Sequence, residues 1–168
     1  MMNIKIRFAH KFDLPFIVEI YNQSIRSYNA TGDLTEFSIE DRLGWFNKFD
    51  AGKYPIYIAE VNNEIVGYCT ISPYRQGREA MSSVAEISYY IDYSYHNKGV
   101  GSKILEFVIT DCNRIGKENL IAILLDINKK SIGILEKFNF KKWGHFPNII
   151  NMNKNKCGHL IYGLKINP

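Results

Sequence analysis

Apolar and polar residues alternate in several short stretches of the chain, and this two-residue period predicts β-strands. In the first stretch Ile4, Ile6 and Phe8 fall on one face, as expected of a half-buried strand. Two later stretches flank Asn62 and Asn63, which tolerate the left-handed backbone of a tight turn, so we predict a hairpin there. The predicted strands are Asn3–Phe8, Ile56–Val61, Glu64–Ser72, Ser83–Asp92, Leu120–Ile127, Lys142–Phe146 and His159–Ile166.

Other stretches repeat apolar residues at intervals of three and four, which is the spacing of an amphipathic helix. Asp13 is suited to cap the first of these helices, and Pro15 is tolerated in its first turn. Ser38 is suited to cap the second, which carries acidic residues in its first turn. The polar, irregular stretch Asn29–Phe37 between them is the kind of loop that carries a substrate site. The other predicted helices are Gly99–Ile115 and Lys129–Phe138.

The order of these elements is strand, two helices, three strands, helix, strand, helix, two strands. Strands joined by short turns pair antiparallel, whereas a strand–helix–strand crossover makes its two strands parallel. We therefore predict a mixed α/β (α+β) fold, with a mostly antiparallel sheet of about seven strands flanked by about four helices. No linker, repeat or low-complexity stretch divides the chain, so we expect residues 1–168 to form a single domain.

The composition and charge of the chain narrow the range of functions that it can have. With 46% apolar and 23% charged residues, it has the make-up of an ordinary soluble globular protein. No stretch reaches the roughly 18 apolar residues of a membrane span, and residues 1–10 lack a signal-peptide core, so we expect a cytoplasmic protein without membrane contact. Three widely spaced cysteines with no CxxC pair disfavour a disulfide framework and a structural zinc site. A net charge of +4 without an arginine-rich run does not support nucleic-acid binding.

A glycine-containing stretch follows the predicted strand that ends at Asp92 and opens the third helix. Glycine lets a backbone approach a ligand closely, and the free N–H groups and dipole of a helix start attract anions. The stretch therefore predicts a diphosphate site, although glycines can also serve a helix start alone. It contains no GxxxxGK[ST] phosphate loop, and Ile104 stands where a dinucleotide fingerprint needs its third glycine. The residues expected to hold the diphosphate are Asn97, Lys98, Gly99, Val100, Gly101 and Ser102.

Seven stretches, in chain order, carry a resemblance to a known family. They are IVEIYNQSI (Ile17–Ile25), DRLGWF (Asp41–Phe46), YPIYIAE (Tyr54–Glu60), AEISYYID (Ala85–Asp92), NKGVGSKIL (Asn97–Leu105), NKKSIGILEKFNF (Asn128–Phe140) and WGHFP (Trp143–Pro147). The chain resembles the GNAT acetyltransferase superfamily, and most closely its phosphinothricin acetyltransferase-like branch. The family's pyrophosphate loop is Q/R-x-x-G-x-G/A, and here His96 replaces the first residue. The resemblance implies a GNAT-like fold, acetyl-CoA as co-substrate, no metal, and a homodimer.

The resemblance also assigns residues to the coenzyme. In the family two neighbouring strands splay apart, and the pantetheine arm of the coenzyme inserts between them like an added strand. The main-chain groups of Tyr89, Tyr90 and Ile91 match the positions that pair with the arm. Asn128 matches an asparagine that hydrogen-bonds the arm, with Ser131 close by, although its position suits simple helix capping equally well.

Glu86 matches the family's general base, which takes a proton from the attacking amine. Its neighbours in the predicted strand are apolar or hydroxylated, so partial desolvation should raise the pKa of its carboxyl group. The alternative is a structural glutamate paired with an arginine of the preceding loop, Arg75 or Arg78. We predict that Glu86→Gln folds but loses most acetyl transfer.

The group that protonates the departing thiolate is open. The family often places a tyrosine on the last helix for this purpose, and Leu135 stands in its place. Because leucine cannot donate a proton, the candidates are Tyr89, Tyr90, His145 or water, although such aromatic side chains more often pack than catalyse.

The acceptor pocket departs from the branch at Met81-Ser82-Ser83, where an aromatic and a basic residue are common. Arg75 and Arg78 can each bind a carboxylate or phosphinate through two hydrogen bonds, or else they are exposed loop charges. We expect these two residues and Met81 to bind the acceptor substrate, a small molecule that carries a primary amine, such as an amino acid, phosphinothricin or methionine sulfoximine. Two alternatives stay open: acetylation of a protein N-terminus or lysine, and a non-catalytic acyl-CoA-binding sensor.

Overall fold

The computed structural model describes residues 2–153 and 155–166 of the chain. Its strands are β1 (Ile4–Phe8), β2 (Ile56–Val61), β3 (Glu64–Pro73), β4 (Val84–Ile91), β5 (Asn119–Leu125), β6 (Lys141–Met152) and β7 (Asn155–Lys165). Its α-helices are α1 (Leu14–Arg26), α2 (Ile39–Phe46), α3 (Val100–Asp111) and α4 (Lys129–Lys137). The strands form one sheet in the order β1-β2-β3-β4-β5-β7-β6, in which only β4 and β5 pair parallel. Over the described residues, the predicted seven-stranded mixed sheet with four helices is confirmed.

The two predicted helix caps behave differently. Ser38 caps α2 as expected, because its side-chain oxygen accepts a hydrogen bond of 3.1 Å from the Asp41 N–H. Asp13 occupies the N-cap position of α1 but makes no side-chain cap bond. Its carboxylate instead forms an ion pair of 2.7 Å with Arg7 and accepts a hydrogen bond from the His10 N–H. A guanidinium is a stronger partner for a carboxylate than a neutral backbone N–H, which explains the difference.

α3 ends at Asp111, before the predicted end at Ile115. The chain then turns through Gly116, which has a φ of +64°, and the Lys117 N–H donates a hydrogen bond of 2.9 Å to the Cys112 carbonyl. Cys112 and Ile115 are still buried, so the apolar periodicity continues past the last helical residue. This continuation is the reason that the sequence pattern predicts too long a helix.

β6 and β7 are longer than the predicted strands Lys142–Phe146 and His159–Ile166. Pro147 interrupts the alternating pattern, and proline normally argues against a strand. In the structure Pro147 lies where the pairing register shifts between Phe146 and Ile150, on the edge strand of the sheet. An edge strand tolerates the missing N–H, so the strand continues past the proline. The other predicted strand and helix boundaries agree with the structure to within two residues.

The helices cover both faces of the sheet. α3 and α4 pack against one face, with Ile104 and Leu135 in the larger core. α1 and α2 cover the other, where Ile17 and Ile20 pack against Ile58 of β2. We refer to this second side as the α1/α2 face.

β4 and β5 are paired only where they begin. Their register covers Val84↔Asn119, Ala85↔Leu120 and Glu86↔Ile121. Farther along, β4 remains paired with β3 and β5 with β7. Among the described residues, the facing edges of residues 87–91 and 122–125 thus have no strand between them, and the sheet opens at this point.

The described part of the chain contains no disulfide, no metal-binding cluster and no helix that could span a membrane. Cys69, Cys112 and Cys157 are buried free thiols. No group of three or more His, Cys, Asp or Glu side chains is arranged there to hold a metal ion. None of the helices in residues 2–153 and 155–166 is long and apolar enough to cross a membrane.

Candidate active site

The gap between β4 and β5 opens into a cavity of about 750 Å³. Its walls come from the second half of β4, the loop into α3, the start of α3 and the first turns of α4. This volume is typical of a pocket that encloses a small-molecule ligand. The predicted coenzyme residues that line it are Tyr89, Tyr90, Ile91, Asn97, Gly99, Val100, Gly101, Ser102, Asn128 and Ser131. Lys98 is exposed and does not line the cavity.

Backbone at the start of α3 forms one end of the cavity. Gly99 occupies the N-cap position with a φ of +84°, a left-handed conformation that costs glycine little because it has no Cβ. The first helical bond runs from the Lys103 N–H to the Gly99 carbonyl, so the N–H groups of residues 100–102 have no partner within the helix. Together with the helix dipole, these N–H groups form an anion site.

Gly101 has a different role from Gly99. A Cβ at this position would lie 3.2 Å from Cδ1 of Ile134, which is closer than most real contacts. The absence of a side chain therefore allows α3 and α4 to approach each other across the cavity. The two glycines thus have different roles, because Gly99 allows a left-handed backbone and Gly101 allows two helices to pack closely.

Basic residues lie in the wall of the cavity and next to the anion site in the sequence. Lys98 lies with its ammonium 4.9 Å from the centre of the Tyr95 ring. Lys129 and Lys130, in the first turn of α4, line the cavity and were missed by the sequence analysis. The signal was present in the Asn-Lys-Lys run of residues 128–130, which begins three residues after the end of β5 and opens a helix next to the gap.

His96 lies between the end of β4 and the start of α4. Its Nε2 is 3.0 Å from the Ile91 carbonyl, and its Nδ1 is 3.5 Å from the Lys130 ammonium. Burial lowers the pKa of His96, and the nearby Lys130 lowers it further, although the bond to Ile91 acts in the opposite direction. The ring is therefore neutral at pH 7, with Nε2–H donating to the carbonyl and Nδ1 accepting from the lysine.

Asn128 caps α4, because its side-chain oxygen accepts a hydrogen bond of 3.2 Å from the Ser131 N–H. The predicted capping role is confirmed, and Asn128 also lines the cavity beside Ser131. Ser24 of α1 and Asn29 of the following loop complete the wall; Asn29 begins the loop expected to carry a substrate site, whereas Ser24 was not predicted. Ser24 is a polar residue among the buried, mostly apolar residues of α1. This exception to the apolar pattern is the feature of the sequence that could have indicated a role at the cavity.

Glu86 lies on the α1/α2 face of β4. Ala85 and Ile87 belong to the core on the opposite side, so the strand alternation places Glu86, Ser88 and Tyr90 together. Glu86 is half-buried, and this burial raises the pKa of its carboxyl group. Within the described part of the chain it forms no ion pair and no side-chain hydrogen bond, so the alternative pairing with an arginine of the β3–β4 loop is not formed.

A model of the Acetyltransferase (GNAT) family matches residues 16–140 of the chain. The chain belongs to this family. It is 35% identical over 162 residues to YwnH of Bacillus subtilis (strain 168), which is named as a candidate phosphinothricin acetyltransferase; the match covers 96% of this chain and 98% of YwnH. The prediction of an acetyltransferase is therefore confirmed.

Two further GNAT relatives resemble the chain over most of its length. An L-methionine sulfoximine/L-methionine sulfone acetyltransferase of Salmonella typhimurium is 28% identical over 144 residues, covering 86% of this chain and 84% of the relative. The structure of yncA from Salmonella typhimurium with its cofactor acetyl-CoA superposes with a TM-score of 0.90 at 25% identity, covering 98% of this chain and 94% of that one.

The predicted acceptor residues of this GNAT chain lie apart from the cavity lining. Arg75 and Arg78 are exposed in the loop between β3 and β4, and Met81 is 41% exposed at the end of a short 3-10 helix. None of the three lines the cavity. Their role in binding an acceptor stays a prediction.

The structure separates the candidate proton donors. Tyr89 lines the cavity on the α4 side, and its hydroxyl is 3.4 Å from the Ser131 carbonyl. The Tyr90 ring lies on the α1/α2 face, edge-on to a tyrosine of α1. His145 of β6 pairs with Asp126 at 3.2 Å and is not part of the cavity lining. Leu135 is only 1% exposed in the core, so the helix offers no donor there.

Proposed function

We propose that this GNAT chain transfers the acetyl group of acetyl-CoA to the primary amine of a small molecule, an amino acid or an analogue such as phosphinothricin or methionine sulfoximine. The observation that carries the proposal is the cavity between the parted strands β4 and β5, which has an anion site at one end. The names of the two sequence relatives support the acceptor class.

The residues around the cavity fit the coenzyme. The N–H groups of residues 100–102 and the ammonium groups of Lys98, Lys129 and Lys130 would hold the diphosphate. The unpaired edge of β4 at Tyr89, Tyr90 and Ile91 would hold the pantetheine arm as an added strand. When bound, acetyl-CoA supplies a thioester whose carbonyl carbon accepts the amine.

Glu86 acts as the general base in this proposal. Nitrogen forms a bond to the carbonyl carbon by direct attack in a ternary complex, and the carboxylate takes the proton that nitrogen loses. The raised pKa of Glu86 brings its basicity closer to that needed near neutral pH. Backbone N–H groups exposed where the strands part can stabilise the negative oxygen of the intermediate. The carbon–sulfur bond then breaks, and the sulfur leaves as a thiolate.

Tyr89 is the residue best placed to assist the departing sulfur. Its hydroxyl reaches into the cavity next to the first turn of α4. Burial raises the pKa of Tyr89 to about 12, so the hydroxyl is protonated at neutral pH. A thiol has a pKa of about 8.5 and is the stronger acid. The hydroxyl, which donates a long hydrogen bond to the Ser131 carbonyl in the structure, would rotate to donate to the thiolate instead, and water would supply the proton.

The test measures thiol release from acetyl-CoA with a panel of amino acids, simple amines and peptides, alongside calorimetry of coenzyme binding. We expect turnover with small amino acids or their analogues. Turnover with peptides alone would favour protein acetylation, and coenzyme binding without turnover on any amine would favour a sensor. Failure of acetyl-CoA to bind would contradict the proposal as a whole.

A further inference from the structure

Arg42 of α2 differs from the other arginines of the chain. Arg7, Arg26 and Arg114 each form ion pairs with carboxylates. Arg42 is half-buried, yet no residue among 2–153 and 155–166 accepts a hydrogen bond from it or forms an ion pair with it. Arg75 and Arg78 also lack ion pairs but are exposed, so in residues 2–153 and 155–166 Arg42 is the one half-buried arginine whose five N–H donors have no carboxylate partner.

Aromatic rings hold this guanidinium in place. Its central carbon lies 3.9 Å from the centre of the Trp45 ring, 5.0 Å from that of Phe37 and 5.1 Å from that of Tyr21. We call these three rings the aromatic box. Cation–π contacts use the faces of a guanidinium and leave the N–H groups along its edge free to donate. No buried donor lacks a partner in the described structure, so the donors of Arg42 reach solvent.

The box is fixed by hydrogen bonds as well as by packing. The Tyr21 hydroxyl lies 2.8 Å from that of Thr31 and donates to the Asp33 carboxylate. The side chain of Asn22 bonds to both the N–H and the carbonyl of Phe37, at 3.0 and 2.9 Å. These bonds fasten the loop between α1 and α2 onto α1, so Arg42 stands in a preformed site.

The box also adjoins the strand that carries Glu86. The Tyr21 ring packs edge-on against Tyr90 of β4 at 4.9 Å. Tyr90, Ser88 and Glu86 share the α1/α2 face of β4, where Tyr68 of β3 stacks on Tyr90 at 5.3 Å. Ser24, one helical turn after Tyr21, lines the cavity. Arg42 and Glu86 are thereby placed on the same side of the sheet, and Ser24 and Tyr90, which lie between the box and the strand, line the cavity, whereas Arg42 and Glu86 themselves do not.

We propose that the Arg42 guanidinium binds an acidic group of the acceptor, a carboxylate or a phosphinate or phosphonate, and so selects anionic amines. This inference rests on the proposed function and specifies its acceptor. A planar guanidinium matches two oxygens of such a group with two parallel hydrogen bonds. The group can be the α-carboxylate of an amino acid or an acidic group on its side chain, and both present the same pair of oxygens.

The test compares three acceptors that differ in their acidic groups. L-methionine sulfoximine carries an α-carboxylate, its amide carries none, and an aminoalkylphosphonate carries an acidic group but no α-carboxylate. We expect wild-type kcat/KM to favour the acidic acceptors over the amide. Arg42→Met should lower kcat/KM for the acidic acceptors by about 10- to 100-fold, mainly through KM, and leave the amide within about twofold. The acidic acceptor that loses more identifies which group Arg42 binds.

Control variants separate binding from folding. Arg42→Lys keeps the charge but not the flat pair of donors, so it should restore only part of the loss. Arg26→Met, in an exposed ion pair on α1, should leave all three acceptors unchanged. Unchanged acetyl-CoA affinity shows that each variant is folded. If Arg42→Met is unfolded, the Arg42→Lys variant and the acceptor preference of the wild type still test whether Arg42 binds the acidic group.

Several outcomes would overturn the inference. They are equal use of the amide by wild type, an equal loss on all three acceptors in Arg42→Met, or a selective loss in Arg75→Met or Arg78→Met instead. Direct calorimetry of acceptor binding distinguishes this failure from failure of the proposed function. Binding of acidic amines that depends on Arg42 without turnover would support the inference and contradict acetyl transfer. Absence of any binding by acidic amines, with acetyl-CoA still bound, would overturn the inference alone.

Discussion

The end of the site proposed to bind the coenzyme and the end proposed to bind the acceptor are built from different parts of the chain; we refer to them as the coenzyme end and the acceptor end. At the coenzyme end, the structure offers backbone: the left-handed Gly99, the open N–H groups of α3 and the unpaired edge of β4. At the acceptor end, it offers side chains from distant elements, such as Glu86 of β4 and Arg42 of α2. A backbone site depends on a few consecutive residues, so we expect it to tolerate an exchange such as His96. A side-chain site depends on packing, so one substitution can change the substrate.

The largest expected effect is at Glu86, where a single carboxylate carries the proposed chemistry. Glu86→Gln should lower kcat by about 100- to 10,000-fold, because the amide cannot take the amine's proton. Calorimetry should find acetyl-CoA binding unchanged, which would separate the two ends of the site. The exposed Glu79→Gln is the matched control and should behave as wild type. Near-normal turnover of the Glu86 variant would remove this residue from the mechanism.

The pH profile sharpens the same prediction. Burial raises the pKa of Glu86 above its ordinary value of 4.5, and the base works only when ionised. Activity should therefore fall as the pH drops through this raised pKa and be retained above it. In Glu86→Gln this loss of activity at low pH should be absent from the pH–rate profile. The change at higher pH that follows deprotonation of the acceptor amine should persist in both proteins.

A smaller effect is expected at Tyr89, which lies where the two ends meet. Tyr89→Phe removes the hydroxyl proposed to stabilise the thiolate, and should lower kcat about 10-fold, as for a hydrogen bond to a charged group. Tyr90→Phe removes the neighbouring hydroxyl on the opposite face and serves as the comparison. An equal loss in both variants would point to packing of β4 and contradict the assignment.

The same contrast explains how much could be predicted from the sequence. The fold and the phosphate end follow from local patterns, because alternation, helix caps and the glycines of Asn97–Leu105 act over a few residues. The pattern failed where chain context overrides it, as at Pro147, which lies inside a strand because that strand is at the edge of the sheet. It also failed at Ile115, which is buried beyond the end of its helix.

The acceptor end could be predicted only in part. Glu86 was predicted as the general base from the resemblance to the family, and the alternation of β4 explains only why it lies on the α1/α2 face. Arg42 was missed because its significance lies in contacts with residues up to 21 positions away, such as Tyr21 at 5.1 Å. No periodicity distinguishes it from Arg75, which is exposed in a loop. Only packing shows that Arg42, unlike Arg75, is held among aromatic side chains.

A backbone substitution should affect the coenzyme end alone. Gly99→Ala forces a side chain into a φ of +84°, which costs roughly 1–2 kcal/mol, and nothing lies within 4 Å of the added Cβ. We expect acetyl-CoA affinity to fall about 10-fold by calorimetry, since the strained turn no longer aligns its N–H groups. Gly99→Asn is the milder control, because this chain already places Asn97 at positive φ. Equal effects of alanine and asparagine would contradict the conformational explanation.

The smallest expected effect concerns His96, where a side chain enters the backbone-built end. In the free protein, burial is the larger cause that lowers the pKa of His96 below its ordinary value of 6.5, and Lys130 lowers it further. The ring is therefore neutral at a pH above 6.5. A bound diphosphate would favour the charged ring and raise that pKa. Binding then takes up a proton, and affinity should increase as the pH falls, by about two- to fivefold between pH 7.5 and 5.5.

His96→Gln is the control for this prediction, since glutamine does not titrate. Phosphate groups with a pKa of about 6 lose charge over the same range and weaken binding in both proteins. The informative quantity is therefore the ratio of the two dissociation constants at each pH, measured by calorimetry. A ratio that stays constant with pH would mean that His96 remains neutral in the complex. The coenzyme end would then depend on backbone and lysines alone, and its contrast with the acceptor end would be sharper.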